Sequence, residues 1–354
     1  MISIESRTEK WLTSHLADKQ DPEIIEKMIM AFTLAESLKR AGLGFIFKGG
    51  TSLSLLTKSL DRFSIDVDII VDPTLTIEPF LNKAIELGNF ISQEEQIRKP
   101  QNKGLPVRHF LFHYIAYSGE RKHILLDVLF DEADYPVTVE VPIASQMLKM
   151  EGDPIIVTCP SVECMLGDKL TAFAPHTTGV LYNHDKDLEI AKQLFDVAHL
   201  FDCVDEINMV TNTFQRIVQK ELNYRGLSNK TKEDVLYDIF YTSCNIASYG
   251  AILMGDTKTS DYNEFRLGSK KMSGFLAKGT FNTDRSLLCA SKAAYLAAAI
   301  LSKAKQLTLY KTEMSGTPPL INNTLFNKLN KVSKNSREAF YYFSQALILL
   351  GLFN

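Results

Sequence analysis

Two aspartates separated by one residue, Asp66 and Asp68, are the clearest candidates for chemistry in this sequence. They lie in an alternating apolar and polar run at residues 65–69, whose period of two predicts a β-strand. Residues i and i+2 of a strand point to the same face, so the two carboxylates are expected side by side. Such a pair repels itself unless a cation lies between its members, and Mg²⁺ is bound through one or two carboxylates together with substrate phosphates.

A glycine pair, Gly49-Gly50, precedes the aspartates and lies between an apolar run at residues 45–47 and a helix-compatible segment at residues 51–59. Glycine lets the backbone approach a ligand closely, and a helix N-terminus presents free N–H groups to an anion. A phosphate-binding turn close to a carboxylate pair is typical of phosphoryl or nucleotidyl transfer. The alternative is an ordinary glycine turn followed by a strand with two solvated aspartates.

A third carboxylate, Asp127, is embedded in an apolar strand predicted at residues 123–130. An unpaired charge in such a strand is costly to bury, so Asp127 needs a partner. If this strand lies beside the Asp66/Asp68 strand, Asp127 becomes the third ligand of a metal site; otherwise it is an edge residue that faces water. The seven histidines are scattered, and we expect no zinc site.

Up to about residue 160 the sequence predicts both helices and strands, and beyond it the sequence predicts helices. Asp21-Pro22-Glu23 predicts a helix start, and Ser118-Gly119-Glu120 predicts a hairpin between two strands. Beyond Pro160, one predicted helix carries Lys169 and a second, at residues 188–201, carries Lys192 and Asp196. Lys169 could neutralise a triphosphate, or extend its charge to the surface; Lys192 and Asp196 fit an ordinary helix ion pair.

Composition predicts an ordinary globular protein of the cytoplasm. The chain has 354 residues, 45% of them hydrophobic, and we expect neither a signal peptide nor a membrane span, because residues 1–12 lack an apolar core and the longest apolar stretches are short. The five cysteines have no CxxC spacing, which favours reduced thiols, mostly buried. Residues 257–337 hold fourteen Lys/Arg and four Asp/Glu, whereas the whole chain has a net charge of −3. This basic segment indicates either a polyanionic partner or Lys-rich solvated helix faces.

Five stretches carry a resemblance to a known family: Lys48-Gly49-Gly50-Thr51-Ser52, Arg62-Phe63-Ser64-Ile65-Asp66-Val67-Asp68, Leu126-Asp127-Val128, Gly167-Asp168-Lys169-Leu170-Thr171-Ala172, and the segment from Lys192 to Asp196. They resemble the DNA polymerase β-like nucleotidyltransferase superfamily and, within it, the AbiEii-type toxins of bacterial toxin–antitoxin systems, which include MenT-like enzymes. The resemblance implies an α+β fold. We expect a mixed-sheet nucleotidyltransferase domain with N-terminal helices at residues 1–158, followed by a helical C-terminal domain at residues 159–354 that completes the active-site cleft.

The resemblance also assigns roles to residues. Ser64, Asp66 and Asp68 would lie at the catalytic centre, Lys169 would contact the triphosphate, and Asp196 would be the late acidic residue, for which Asp187 is a rival. Asp66, Asp68 and Asp127 are the expected metal ligands. The expected nucleotide-binding residues are Lys48, Gly49, Gly50, Thr51, Ser52 and Arg62.

The activity implied by this resemblance is Mg²⁺-dependent (or Mn²⁺-dependent) transfer of a nucleotide from a nucleoside triphosphate to an acceptor. RNA, in particular a tRNA 3′ end, is the implied acceptor, and a cognate antitoxin protein is an implied partner. Two alternatives stay open: a non-catalytic nucleotide-binding module, and a nucleotide-sugar glycosyltransferase that uses the Asp-x-Asp pair. The Gly-Gly-Thr-Ser turn before the aspartates argues against the glycosyltransferase.

Overall fold

The fold was analysed in a computed structural model that describes residues 1–14, 21–57, 59, 61–97, 105–204, 206–253, 259–312 and 319–354. The chain forms two compact units. The first consists of Met1–Ser161 and a short return segment, Gly274–Gly279; the second consists of Val162–Ser273 and Thr280–Asn354. The predicted domains, residues 1–158 and 159–354, contained no such return segment.

The first unit is built around a seven-stranded mixed sheet with the strand order β3-β4-β5-β2-β1-β7-β6. Its strands are β1 (Ile46–Lys48), β2 (Val67–Val71), β3 (Ser92–Glu95), β4 (Val107–Ile115), β5 (Arg121–Phe130), β6 (Thr138–Pro142) and β7 (Ile156–Pro160). Its helices are α1 (Glu9–Ser14), α2 (Pro22–Arg40), α3 (Gly49–Leu56) and α4 (Glu78–Gly88). The sequence did not predict the edge strand β6 or its neighbour β7.

Local sequence signals explain how several of these elements begin and turn. The Asp21 side chain accepts a hydrogen bond of 2.9 Å from the N–H of Glu23 and caps α2, with Pro22 in the first turn, as predicted. Gly119, at φ +84°, turns the chain between the antiparallel strands β4 and β5, which confirms the predicted hairpin. The strand that contains Asp68 starts at Val67 rather than at residue 65, so Asp66 lies just before it.

The central strands β2 and β5 have one face that is buried and an opposite face that carries the acidic residues. Val67 and Ile69 of β2 and Val128 of β5 are buried in one hydrophobic cluster with the inner side of α2. Because side chains alternate along a strand, Asp68 and Asp127 lie on the opposite face. Burial of the apolar set therefore fixes which face of the sheet presents the carboxylates.

The second unit is helical. Its α-helices are α5 (Val162–Ala172), α6 (Asp187–Phe201), α7 (Ile207–Tyr224), α8 (Lys232–Ala247), α9 (Thr259–Met272), α10 (Thr283–Leu301) and α11 (Arg337–Leu349). Ala-rich α10 is buried along most of its length, and the rings of Phe201 and Tyr342 pack with centroids 5.4 Å apart. A mixed sheet followed by helices confirms the predicted α+β class. In the described parts of the chain, none of the helices combines the length and the apolar character that crossing a bilayer requires.

Candidate active site

The glycine turn lies directly against the carboxylate of Asp68. Gly49 has φ +78°, and a Cβ atom at this position would lie 2.0 Å from Asp68 Oδ2. Any other residue would therefore be strained in its backbone and would collide with the aspartate. The sequence placed Gly49 and Asp68 in one site, and the structure brings them into contact range through the antiparallel pairing of β1 with β2.

Gly50 makes a second close approach, to Arg62 and Ser64. A Cβ atom at Gly50 would lie 2.4 Å from Arg62 Nη2 and 2.7 Å from Ser64 Oγ. The Arg62 side chain is buried, and its Nη1 donates a hydrogen bond of 3.1 Å to the carbonyl of Phe63. One cation and one hydroxyl are thus gathered at the turn that begins α3.

The segment that carries Arg62 is held by the return segment of the first unit. The N–H of Phe63 donates to the carbonyl of Phe275 at 2.7 Å, and the N–H of Ala277 donates to the carbonyl of Asp61 at 3.0 Å. Arg62 and Leu276 form an isolated antiparallel bridge. The segment Gly274–Gly279 therefore positions part of the site, which sequence reasoning missed because no local pattern links residues so far apart in the chain.

The hydroxyl groups of Thr51 and Ser52 stabilise the turn from within. Both side chains are buried. Thr51 Oγ1 donates to the carbonyl of Asp66, and Ser52 Oγ donates to the carbonyl of Gly49 at 3.0 Å. With their hydroxyls engaged in this way, these residues fix the position of Asp66 and Gly49, and the backbone N–H groups at the start of α3 are the donors suited to a phosphate.

Asp127 lies beside Asp68, because β2 and β5 are parallel neighbours with Asp68 opposite Asp127. The adjacency on which the third carboxylate depended is therefore present. On its other side Asp127 faces His109 of β4, and His109 Nδ1 lies 2.6 Å from Asp127 Oδ1. Lys48, Asp68, Asp127 and His109 thus form a row across four strands.

The donor set at this row suits a hard cation that shares its ligands with a phosphate. Within the described residues, no group of three His, Cys, Asp or Glu side chains forms a ready-made metal cage. Mg²⁺ does not need one, because it is bound through one or two carboxylates plus substrate phosphates. Asp66 and Asp68, close to a turn with free N–H groups, fit that mode of binding. The role of Asp127 as a metal ligand stays a prediction.

Lys169 and Asp196 form a buried ion pair in the second unit. Lys169 Nζ lies 2.9 Å from Asp196 Oδ2 and 3.0 Å from Gln193 Oε1, and Asp196 is fully buried. Lys169 itself is only 8% exposed, so it does not extend its charge to the surface. Asp196 therefore pairs with Lys169 across two helices, and Lys192 lies 4.0 Å from Glu189 on its own helix.

Asp187, the rival for the late acidic role, lies at the first turn of α6 and is paired elsewhere. Its Oδ1 lies 2.8 Å from Lys271 Nζ. A Cβ atom at Gly268 would lie 1.9 Å from the Asp187 carbonyl, so α9 packs tightly against this position. In the second unit the structure thus joins Asp196, and not Asp187, to Lys169.

A family model decides the relationship of the chain to known proteins. The model described as nucleotidyl transferase AbiEii toxin, type IV toxin–antitoxin system, matches residues 33–270, more than half of the chain. The chain belongs to the AbiEii family. The matched range contains the glycine turn, the row of charged residues and the Lys169–Asp196 pair. No curated protein matches the chain.

One polar cluster of this AbiEii-family chain was not found from the sequence. The ring of His176 lies between Asp238, 2.7 Å from Nδ1, and Asp261, 3.0 Å from Nε2, and both carboxylates are buried. Burial alone lowers the pKa of His176, but the two carboxylates outweigh it and raise the pKa to about 9. The three residues are too far apart in the sequence for spacing to reveal them.

The basic segment of the AbiEii-family chain is largely exposed. Lys258 and Glu313 of this segment lie outside the described residues. Among the described cations, Lys292 is buried and bonded to both oxygens of Asp202 at 2.7 Å, whereas most others are at the surface. Lys328, Lys331 and Lys334 follow one another on the 3₁₀ helix Asn327–Lys334 and are all exposed.

Proposed function

We propose that this AbiEii-family chain transfers a nucleotide from a nucleoside triphosphate to an RNA acceptor in a Mg²⁺-dependent reaction. The observation that carries the proposal is the close approach of Gly49 to Asp68 and of Gly50 to Arg62 and Ser64. Backbone N–H groups at a helix start, a cation and a carboxylate lie close together at this turn, and this supports the proposal. The arrangement supports phosphate chemistry more directly than it supports a turn with solvated aspartates.

Each residue of the first unit has a distinct task in this proposal. The N–H groups at the start of α3 and the Arg62 guanidinium bind the triphosphate and neutralise its charge. Asp66 and Asp68 would hold Mg²⁺, with Asp127 as a third carboxylate beside them. When bound, the metal acts as a Lewis acid on the phosphoryl group. Ser64, whose Oγ lies close to Gly50, is a proposed residue of the catalytic centre. Positioning and charge neutralisation would provide most of the rate acceleration.

In the second unit, Lys169 is the proposed second cation for the triphosphate. Its ion pair with Asp196 and its hydrogen bond to Gln193 hold the ammonium group in one place. A fixed cation loses little entropy when charge develops on a phosphate, which is the general basis of electrostatic preorganisation. Asp196 is then a positioning residue for Lys169.

RNA is the proposed acceptor because the basic segment presents exposed cations to solvent. Neutralisation of phosphates by Lys and Arg, with release of counterions, supplies most of the sequence-independent affinity for nucleic acids. The resemblance points to a tRNA 3′ end. Nucleoside triphosphates and tRNA are both abundant in the cytoplasm, which we propose as the site of action, and an antitoxin encoded with the chain is its proposed protein partner.

The proposal is tested by incubating the purified protein with each α-³²P-labelled nucleoside triphosphate, Mg²⁺ and total RNA. The double variant Asp66→Ala/Asp68→Ala is compared with Asp72→Ala, which removes an exposed aspartate at the end of β2. We expect label on RNA with wild type and with Asp72→Ala, and none with the double variant. Absence of label with every nucleotide contradicts the proposal; nucleotide binding without transfer supports a binding module, and sugar release from a nucleotide sugar supports a glycosyltransferase.

The toxin role has a separate test in living cells. Expression of the wild-type chain is expected to slow growth, and the double variant is expected to relieve the effect while it accumulates to the same level. Growth arrest that persists in the double variant would assign toxicity to something other than nucleotide transfer.

A further inference from the structure

A cleft of about 170 Å³ opens beside Asp66 in the first unit. Leu111 of β4 and Leu125 of β5 face each other in register and form its apolar floor together with Ile65. Lys27 of α2 and His123 of β5 contribute polar groups to the lining. None of these residues takes part in the chemistry assigned above, yet they adjoin one of its carboxylates.

The cleft and the glycine turn lie on opposite sides of β2. On one edge β2 pairs with β1, which leads directly into Gly49-Gly50. On its other edge β2 pairs with β5, and β5 pairs with β4, the two strands that supply the floor of the cleft. The Asp66–Asp68 segment therefore separates the turn from the cleft.

This order of strands suggests that the nucleoside triphosphate and the acceptor bind on opposite sides of β2. In phosphoryl transfer, the attacking and leaving oxygens lie roughly in line on opposite sides of the phosphorus atom. If the triphosphate binds at the turn, its pyrophosphate leaves on the β1 side, and the attacking hydroxyl approaches from the β5 side. We propose that the cleft receives the terminal nucleoside of the RNA acceptor, an inference that rests on the proposed function.

The size and lining of the cleft suit part of a nucleotide. Its volume is below the range of about 300–1,000 Å³ that encloses a whole drug-sized ligand. The apolar side chains of Ile65, Leu111 and Leu125 can pack against the face of a base, and RNA is commonly read through unstacked terminal bases and 2′-hydroxyls. Burial, followed by the electrostatic effects of the neighbouring His113 and Lys27, lowers the pKa of His123. A neutral imidazole offers one donor and one acceptor to such groups.

The test uses two tryptophan variants on one face of one strand. Leu111→Trp fills the cleft, whereas Ile115→Trp adds the same ring at an exposed position of β4 outside the lining. Transfer kinetics are measured with bulk tRNA and the preferred nucleoside triphosphate. Binding of tRNA that ends in a 3′-deoxynucleotide is measured in parallel by fluorescence anisotropy, which requires no turnover. His123→Ala serves as a second variant that adds no volume, and thermal unfolding monitors the fold of each.

We expect Leu111→Trp to raise the KM for tRNA and weaken binding of the 3′-deoxy tRNA by about tenfold or more, with an unchanged KM for the nucleotide. His123→Ala should act in the same direction, and Ile115→Trp should match wild type. A higher KM for the nucleotide alone, unchanged constants in both cleft variants, or transfer to protein rather than RNA would overturn the inference. If wild type transfers nothing to any acceptor, the proposed function fails as well; normal wild-type transfer with unaffected variants overturns the inference alone.

Discussion

His109 Nδ1 lies 2.6 Å from Asp127 Oδ1, and the two residues face each other across β4 and β5. Asp127 stands in turn beside Asp68. A histidine that contacts a carboxylate in this way fixes the orientation of the carboxylate. Residues that are hydrogen-bonded to metal ligands orient those ligands and thereby affect metal affinity. The contact therefore links β4, the strand next to the edge strand β3, to the carboxylates of Asp127 and Asp68.

Replacement of His109 by alanine tests whether that orientation matters for the reaction. We expect His109→Ala to lower Mg²⁺-dependent transfer by about 10- to 100-fold and to weaken Mn²⁺ binding measured by electron paramagnetic resonance. His113→Ala is the control, because His113 lies four residues further along β4 on the same face and contacts Glu94 at 3.2 Å. Equal effects of the two variants would show that loss of any β4 histidine suffices.

Gly49 offers a test of the turn itself. Alanine at Gly49 faces both a left-handed backbone, at φ +78°, and a clash with Asp68 Oδ2. Gly119→Ala is a matched control. Gly119 has a similar φ of +84°, but a Cβ atom added there would have no other atom within 4 Å. We expect both variants to lose about 1–2 kcal/mol of stability to backbone strain and only Gly49→Ala to lose nucleotide transfer. Denaturant unfolding and the labelling assay measure these two effects; intact transfer in Gly49→Ala would contradict the proposed turn.

The sequence predicted those parts of the fold that depend on local patterns. The Asp21 cap, the hairpin at Gly119 and the acidic strand near Asp68 all rest on residues within a few positions of one another. The sequence predicts that Asp127 lies beside Asp68 only if their two strands pair. The pairing of distant strands cannot be inferred from the alternation of apolar and polar residues alone. The predicted start of β2 was wrong by two residues. Hydrogen bonding to the neighbouring strands, and not the alternation within the strand, decides where a strand begins.

The parts that the sequence did not predict depend on long-range contacts. The backbone hydrogen bond between Phe63 and Phe275 joins residues more than two hundred positions apart. His176, Asp238 and Asp261 lie on separate segments, and each alone resembles an ordinary polar residue. The ion pair between Lys169 and Asp196 depends on the packing of α5 against α6. In each case the contact comes from tertiary packing, which no local pattern reveals.

Variants of the Lys169–Asp196 pair can distinguish its contribution to stability from its contribution to nucleotide transfer. Asp196→Asn leaves the buried Lys169 ammonium without its counter-charge, and we expect a loss of about 3–5 kcal/mol in the free energy of unfolding. The double variant Lys169→Met/Asp196→Leu should recover most of that loss, because it buries apolar groups in place of the ion pair. Urea unfolding measures both variants.

Nucleotide transfer should stay low in the double variant, because the proposed cation for the triphosphate is gone. Lys149→Met, which removes an exposed ion pair with Glu5, is the control and should change stability by less than about 1 kcal/mol. Full activity in a stable double variant would exclude Lys169 from the reaction.

His176 makes the stability of the chain depend on pH. Asp238 and Asp261 raise its pKa from the ordinary 6.5 to about 9, so the folded state binds the proton more tightly than the unfolded state. The resulting stabilisation is complete below about pH 6.5 and is lost as the pH rises through about 9. The size of the shift corresponds to roughly 3 kcal/mol.

Comparison with His176→Gln isolates this contribution. The difference in free energy of unfolding between wild type and His176→Gln should shrink by roughly 3 kcal/mol between about pH 6 and pH 10. His184→Gln, at an exposed position, should follow the wild-type curve at every pH. Urea unfolding across this pH range measures all three proteins. A constant difference between wild type and His176→Gln would show that the two carboxylates do not hold a proton on the ring, since only a titrating group makes the difference depend on pH.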